Sequence, residues 1–241
     1  MQRAAETAGC TLLEWDTEFW GRPVGLVEGD ALDPGRLEAV DAWADANGVA
    51  CVYFLAGSQE PLTAQVAEQG GFRLMDVRVE LRRAAAGDEA VGDLRPARPD
   101  DLDALRSIAR QSHGVTRFYA DPRFPDERCD DLYDRWITRS LEGWSAGVLV
   151  AEADGRPSGY VTCHLDDGGG SIGLIAVDAS ERRSGRGVEL ARGAVAWCRE
   201  QGAEQMSVVT QGRNVAALRT FQRAGFLVDT VGLWFHKWYD R

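Results

Sequence analysis

The residues with the clearest chemical meaning lie in one stretch, Val177-Asp178-Ala179-Ser180-Glu181-Arg182-Arg183-Ser184-Gly185-Arg186-Gly187-Val188, which follows an apolar run and opens a helical pattern. The first N–H groups of a helix have no partner within it, and they carry the positive end of its dipole. Glycines at 185 and 187 let a ligand approach that backbone closely, and Arg182, Arg183 and Arg186 add full charges, so the segment suits a pyrophosphate. No Gly-Lys-Ser/Thr follows, as a nucleotide-hydrolysing loop requires. Gly185-Arg186-Gly187 continues as Val188-Glu189-Leu190 and lacks the third glycine of a dinucleotide site. Neither nucleotide hydrolysis nor hydride transfer is expected.

The chain that carries this segment has 241 residues, with 27 Lys and Arg against 38 Asp and Glu, a net charge of −11. Such acidity disfavours broad binding to nucleic acid or an anionic membrane, but it leaves room for a local basic site. The length suits one large domain or two small ones. The longest mostly apolar run, Gly147–Ala151, is far short of the ~20 residues of a membrane helix, and Met1–Leu13 has no basic stretch leading into an apolar one. A soluble, untargeted, cytoplasmic protein is expected. Cys10, Cys51, Cys129, Cys163 and Cys198 are scattered without a Cys-x-x-Cys pair, which predicts buried thiols and neither a disulfide framework nor a metal site.

The elements that must position the glycine-rich turn can be read from periodicity. Ala84–Gly92 is small, polar and aperiodic, and reads as a linker at 84–92 between domains at 1–83 and 93–241. Before it come a helix at Arg36–Ala46, a buried strand at Ala50–Leu55, a helix at Pro61–Gln69 and an alternating strand at Arg73–Leu81. After it come Leu94–Ala97, a helix capped by Asp100, and a second helix with Cys129, Leu132, Tyr133, Trp136, Ile137 and Leu141 on one face. Turn chemistry then separates Gly147–Glu152, Gly159–Leu165 and Ser171–Val177 into an antiparallel meander. A helix (Gly187–Gln201), a strand (Met206–Thr210), a helix (Val215–Ala224) and two last strands (Phe226–Val231, Leu233–Tyr239) complete an α/β chain with a mixed, mostly antiparallel sheet. Leu62…Gly71-Phe72…Asp76 is echoed by Leu218…Gly225-Phe226…Asp229, a faint internal repeat.

Arg182-x-x-Gly185-x-Gly187 after the strand residue Val177, with Asn214 and "AALRTFQRAGF" (Ala216–Phe226) downstream, resembles the acyl-CoA signature of the GNAT superfamily over about Leu94–Lys237. "LEWDTEFWGRPVG" (Leu13–Gly25), "VYFLA" (Val52–Ala56), "GFRLMDVRVELRR" (Gly71–Arg83), "TRFYADPRFP" (Thr116–Pro125) and "LYDRWI" (Leu132–Ile137) resemble the TDP-fucosamine (dTDP-4-amino-4,6-dideoxygalactose) N-acetyltransferases along the whole chain. That resemblance implies a complete GNAT fold preceded by a truncated GNAT-like half.

The resemblance also implies roles. Acetyl-CoA would be the donor, held by Arg182, Arg183, Ser184, Gly185, Arg186 and Gly187, with backbone of Leu174, Ile175 and Val177 meeting the thioester and pantetheine arm. Asn214 would touch that arm, although its place before a helix equally suits a plain N-cap. Many superfamily members put a proton-donating tyrosine before the Gly-Phe corner; here that slot, beside the donor, is Phe221, which has no proton to give. Tyr119, His164 and His113 are the alternatives for proton transfer, with His164 alternating onto the strand face opposite Cys163. Arg117, Phe118 and Tyr119 lie where the superfamily closes over its acceptor. His236, between Trp234 and Trp238, reads as structural.

The expected reaction is transfer of acetyl to a primary amine of a small molecule, an amino sugar in the leading reading and one linked to a nucleotide in its fullest form. Two other readings stay open at this point. One is a different acyl donor, such as another acyl-CoA or an aminoacyl-tRNA, the one case in which a nucleic acid would be a partner. The other is a non-catalytic CoA-binding module. Exposed strand edges also make a homodimer plausible.

Overall fold

The structure, a computed structural model, describes residues 9–87 and 90–239. The expectation that Met1–Leu13 carries no targeting leader falls in part outside the described residues, as do residues 88 and 89 of the expected linker. The chain folds as two compact units, Met1–Arg78 with Val231–Arg241, and Val79–Thr230. No helix among the described residues is long and apolar enough to cross a membrane.

The first unit runs β1 (Cys10–Leu12), α1 (Glu14–Trp20), β2 (Val24–Val27), α2 (Pro34–Ala46), β3 (Cys51–Gly57), α3 (Pro61–Gln69) and the start of β4 (Arg73–Ala84). β1 is antiparallel to β2, which runs parallel to β3. α2 begins where Asp33 accepts a hydrogen bond from the Arg36 N–H at 2.9 Å and Pro34 supplies a preset φ at the first position. Val40, Trp43 and Ala44 of α2 then pack on Val52, Phe54 and Ala56 of β3.

The second unit continues through β5 (Arg95–Pro96), α4 (Leu102–Arg110), α5 (Arg117–Ala120), α6 (Asp126–Arg139), β6 (Gly147–Ala153), β7 (Arg156–Asp166), β8 (Gly169–Val177), α7 (Arg186–Glu200), β9 (Gln205–Gln211), α8 (Val215–Arg223) and the first residues of β10 (Leu227–Trp238). β5 to β8 are antiparallel neighbours in sequence, and β9 joins β8 in parallel. The turn between β6 and β7 has positive φ at Asp154 (51°) and Gly155 (73°), the geometry that lets a two-residue hairpin follow the strand twist. Leu105 and Ile108 of α4, with Cys129, Leu132 and Ile137 of α6, are buried, as are Leu190, Ala194 and Cys198 of α7.

Two expectations from the sequence are corrected. The helix expected to be capped by Asp100 is preceded by a 3-10 turn at Pro99–Asp101, and the carboxylate that turns back on the chain is Asp101, accepting from the Arg98 N–H at 2.7 Å and from Arg95 at 2.7 Å. Arg95 holds that carboxyl below its ordinary pKa. The two expected final strands are one, because Gly232 is not a turn. It stays in register opposite Gly57, and a Cβ there would stand 2.8 Å from Leu55 Cδ1.

The repeated sequence corner recurs as structure. After Gly71 at φ 82° the Phe72 N–H bonds the Ala67 carbonyl at 2.9 Å, and after Gly225 at φ 87° the Phe226 N–H bonds the Phe221 carbonyl at 3.0 Å. Each corner ends a nine-residue helix and feeds a twelve-residue strand, β4 or β10.

Candidate active site

β8 pairs with β9 only through Gly169–Ile172 against Gln205–Val208, and its last residues leave that partner. A bulge accompanies the parting. On the other edge of β8 the register with β7 shifts between Val161 and Cys163, and the Leu174 N–H at the bulge donates to Thr162 Oγ1 at 2.8 Å. With Leu174 turned towards β7, strand alternation directs the N–H groups of Ile175 and Val177 towards the opening.

Ile175, Ala176 and Val177 floor a cleft of about 620 Å³. One wall is the start of α7 and the loop before it, with Glu181, Arg182, Arg183 and Gly187; another is Asn214, Ala216, Ala217, Thr220 and Phe221 at α8; the third is Gln111, Ser112, Gly114 and Val115 after α4. Arg182 spans two walls, its guanidinium donating to the Gln111 carbonyl at 2.8 Å. Arg183 takes φ 68° and Gly185 φ 96°, so the loop approaches α7 through left-handed backbone that glycine tolerates best. At Gly187 a Cβ would lie 3.2 Å from Thr220 Cγ2, close enough that the threonine side chain would have to give way.

The structure thus gathers Ile175, Val177, Arg182, Arg183, Gly187, Asn214 and Phe221 around one cavity. Asn214 also caps α8, its Oδ1 accepting from the Ala217 N–H at 3.1 Å. Phe221 is buried, edge-on to Phe226 with centroids 6.0 Å apart. The other residues singled out from the sequence stand off the cleft lining. The Leu174 side chain is buried and its N–H is taken by Thr162. Ser184 Oγ donates to the Glu181 carbonyl at 2.7 Å, Gly185 is the residue before α7, and Arg186 turns along the helix to pair with Glu189 at 2.8 Å.

Arg117, Phe118 and Tyr119 form a packed aromatic corner. Phe118 is buried edge-on to Phe124 and Trp136, and the Arg117 guanidinium lies 4.3 Å from the Phe118 ring. The Tyr119 hydroxyl donates to Asp130 at 2.6 Å; burial, and then this carboxylate, raise its pKa well above the ordinary phenol value. His113 stacks on Tyr133 at 4.5 Å with Nε2 3.3 Å from the Tyr160 hydroxyl, and burial lowers its pKa to about 4. His164 sits on β7 with Nε2 3.3 Å from Ser145 Oγ and its ring 5.1 Å from Trp144. Burial lowers the His164 pKa, against an opposing pull from Asp166. His236 is buried against Tyr53. No group of three or more metal-ligating side chains occurs among the described residues.

Sequence reasoning missed the wall at Gln111–Val115 and the part played by Thr162. The only local signal for the wall is a Ser-His-Gly run just after α4; Thr162 has none, because its partner is twelve residues away across a bulge.

Comparison with known proteins fits this geometry. The model of the "Acetyltransferase (GNAT) family" matches residues 102–226. The dTDP-fucosamine acetyltransferase of Escherichia coli O6:H1 is 26% identical over 228 residues, 93% of this chain and 96% of that protein. The spore coat polysaccharide biosynthesis protein SpsD of Bacillus subtilis is 25% identical over 146 residues, 61% of this chain, which spans only 50% of that relative's length. A GCN5-related N-acetyltransferase from Sphaerobacter thermophilus superposes with a TM-score of 0.66 at 15% identity, covering 95% of this chain and 76% of that one, a likeness of fold.

Proposed function

This chain belongs to the acetyltransferase (GNAT) family and is an N-acetyltransferase, and from that premise we propose that it moves acetyl from acetyl-CoA to the primary amine of a nucleotide-linked amino sugar. The observation that carries the donor assignment is the parting of β8 from β9 over a cleft walled by Arg182, Arg183 and Gly187. A pantetheine arm is an extended chain with two amides. It fits a gap where one strand has lost its neighbour, and its diphosphate suits the arginines and the positive end of α7.

In this reading the Ile175 N–H, at the bulge, hydrogen-bonds the thioester oxygen as negative charge develops there. The neutral amine attacks the carbonyl carbon and the carbon–sulfur bond breaks. Phe221 supplies no proton to the departing sulfur, and a thiol with a pKa of ~8.5 needs little help to leave as thiolate. The acceptor assignment is supported by the likeness to the dTDP-fucosamine acetyltransferase along nearly the full length of both chains. The recurrence of the helix-Gly-Phe-strand corner supports reading residues 1–83 as a truncated copy of the fold completed by 93–241.

Titration calorimetry with CoA, followed by thiol release from acetyl-CoA with a panel of amino sugars and their nucleotide-linked forms, tests the reading. CoA should bind, and Gly187→Val, which fills the cleft wall against Thr220, should bind at least about tenfold more weakly; a lost charged hydrogen bond of ~1.5–3 kcal/mol has that effect. An intact protein that binds no CoA, or that binds it and acetylates none of the amines, overturns the proposal.

A further inference from the structure

We propose that Trp144, Ser145 and His164 form the acceptor end of the reaction, with the Trp144 ring as a platform for a cyclic amine and His164 Nε2 as the group that takes the amine's proton. This deepens the acetyl-transfer reading and rests on it. The position comes from β7 and β8. His164 stands opposite Ser171, and a Cβ on Gly173 would lie 2.5 Å from His164 Nε2 and 2.9 Å from Thr162 Oγ1. The imidazole therefore lies against β8 at the residue that leads into the bulge, two residues before Ile175 on the cleft floor. Tyr160, Thr162 and His164 share one face of β7, the face on which Tyr160 meets His113, while Cys163 points the other way and shares a hydrogen bond with Cys198 of α7.

The platform is built by an irregularity of the backbone. α6 runs on to Ser140–Trp144 and is broken there by Gly143, which takes φ 101°. The turn leaves Trp144 51% exposed while its ring meets His164 edge to face at 5.1 Å and 73°. An exposed indole beside a half-buried imidazole gives a flat apolar surface with a proton acceptor at its edge, which suits the CH face of a sugar ring carrying an amine. Of the other candidate groups, the Tyr119 hydroxyl is taken by Asp130 and the His113 ring is stacked on Tyr133, away from the indole.

The step balances. The nitrogen lone pair of a neutral amine forms the new N–C bond and the N–H proton passes to His164 Nε2. The carbonyl re-forms as the C–S bond breaks, and CoA leaves with the electron pair as thiolate. The products are an amide, a thiolate and an imidazolium whose N–H donates to Ser145 Oγ. The surroundings favour a ring that starts unprotonated. The charged groups facing it are Asp166 from its own strand and, behind Trp144, Arg139 of α6, whose guanidinium carbon is 5.7 Å from the indole. β8 presents the uncharged Ser171 and Gly173, and the segment before β6 presents Ser145.

The test measures acetyl-CoA turnover with dTDP-4-amino-4,6-dideoxygalactose and with glucosamine as a function of pH, alongside CoA affinity by calorimetry. His164→Gln should lower kcat/KM about 100-fold or more and leave only the acid limb set by protonation of the amine itself, with CoA affinity unchanged. Trp144→Ala should raise the acceptor KM about tenfold with kcat little changed, and Trp144→Phe should restore it. Ser145→Ala, which removes the acceptor for the imidazolium N–H, should move the acid limb to lower pH and keeps the test decisive if the His164 variant fails to fold. An active wild type whose His164 and Ser145 variants keep its rate and pH profile, or whose Trp144→Ala variant keeps its KM, overturns this inference alone. A wild type that binds no CoA or acetylates neither amine overturns the acetyl-transfer reading and this one with it.

Discussion

At the scale of the residue, Thr162 controls the geometry of the cleft without lining it. It is fully buried, and its hydroxyl accepts the Leu174 N–H that would otherwise be orphaned at the bulge. Thr162→Val keeps the shape and removes the acceptor. Chemical denaturation should show a loss of about 1–3 kcal/mol, the cost of an unsatisfied buried amide, and turnover should fall because the Ile175 N–H is no longer fixed; Thr162→Ser should recover both. Equal stability of the Val and wild-type proteins would refute this. Such residues explain what was and was not legible in the sequence. Arg182, Arg183, Gly187 and Asn214 were legible because their meaning is local, given by a strand before and a helix after. Thr162 and the wall at Gln111–Val115 were not, because their roles depend on a cross-strand register and a loop path that no short spacing encodes. The expected cap at Asp100 is absent for a similar reason, since Pro99 starts a 3-10 turn before the helix and the carboxylate that reaches back to the chain, at the Arg98 N–H, is Asp101.

At the scale of the element, the fit of β7 against β8 holds the cleft floor in place. Gly159 pairs with Val177, and a Cβ on it would meet the Ala176 carbonyl at 2.9 Å and Leu190 Cδ1 of α7 at 2.9 Å. Backbone cannot yield as a flexible side chain does, so Gly159→Ala should cost about 1–3 kcal/mol. For a chain of this size that is a fall in Tm of roughly 2–4 °C per kcal/mol. CoA affinity should drop in parallel, since Ala176 lines the cleft. Unchanged melting with unchanged affinity would mean that the two strands tolerate separation there. The period-two and helical patterns locate most elements but pass over β1, α1, β2 and the short α5, and they divide the last strand at Gly232, where it is continuous. A glycine between two apolar runs signals either a turn or a close approach, and only the neighbouring Leu55 decides which.

At the scale of the whole molecule, the first unit is made from both ends of the chain. Gly232–Trp238 of β10 lies antiparallel against Cys51–Gly57 of β3, and Phe235 belongs to the same core as Val40, Trp43 and Phe54. A variant ending at Thr230 should therefore expose the whole bonding edge of β3 and leave Phe54 and Phe72 uncovered. Limited proteolysis should then cut within residues 10–78, where the intact chain resists; equal resistance would show that β3 does not depend on its late partner. The net charge of −11 has also taken on a narrower meaning, because the cleft carries Arg182 and Arg183 on its wall and the bulk acidity does not describe it. The late strand has one more consequence, which concerns biosynthesis. While the chain is being made, β3 must wait for about 150 intervening residues of the second unit, Val79–Thr230, before its partner exists. At roughly 5–20 residues per second that is on the order of ten seconds or more with an apolar strand edge open on the ribosome, so a segment synthesised before the second unit closes only after it, and its yield should respond to chaperone supply and translation speed.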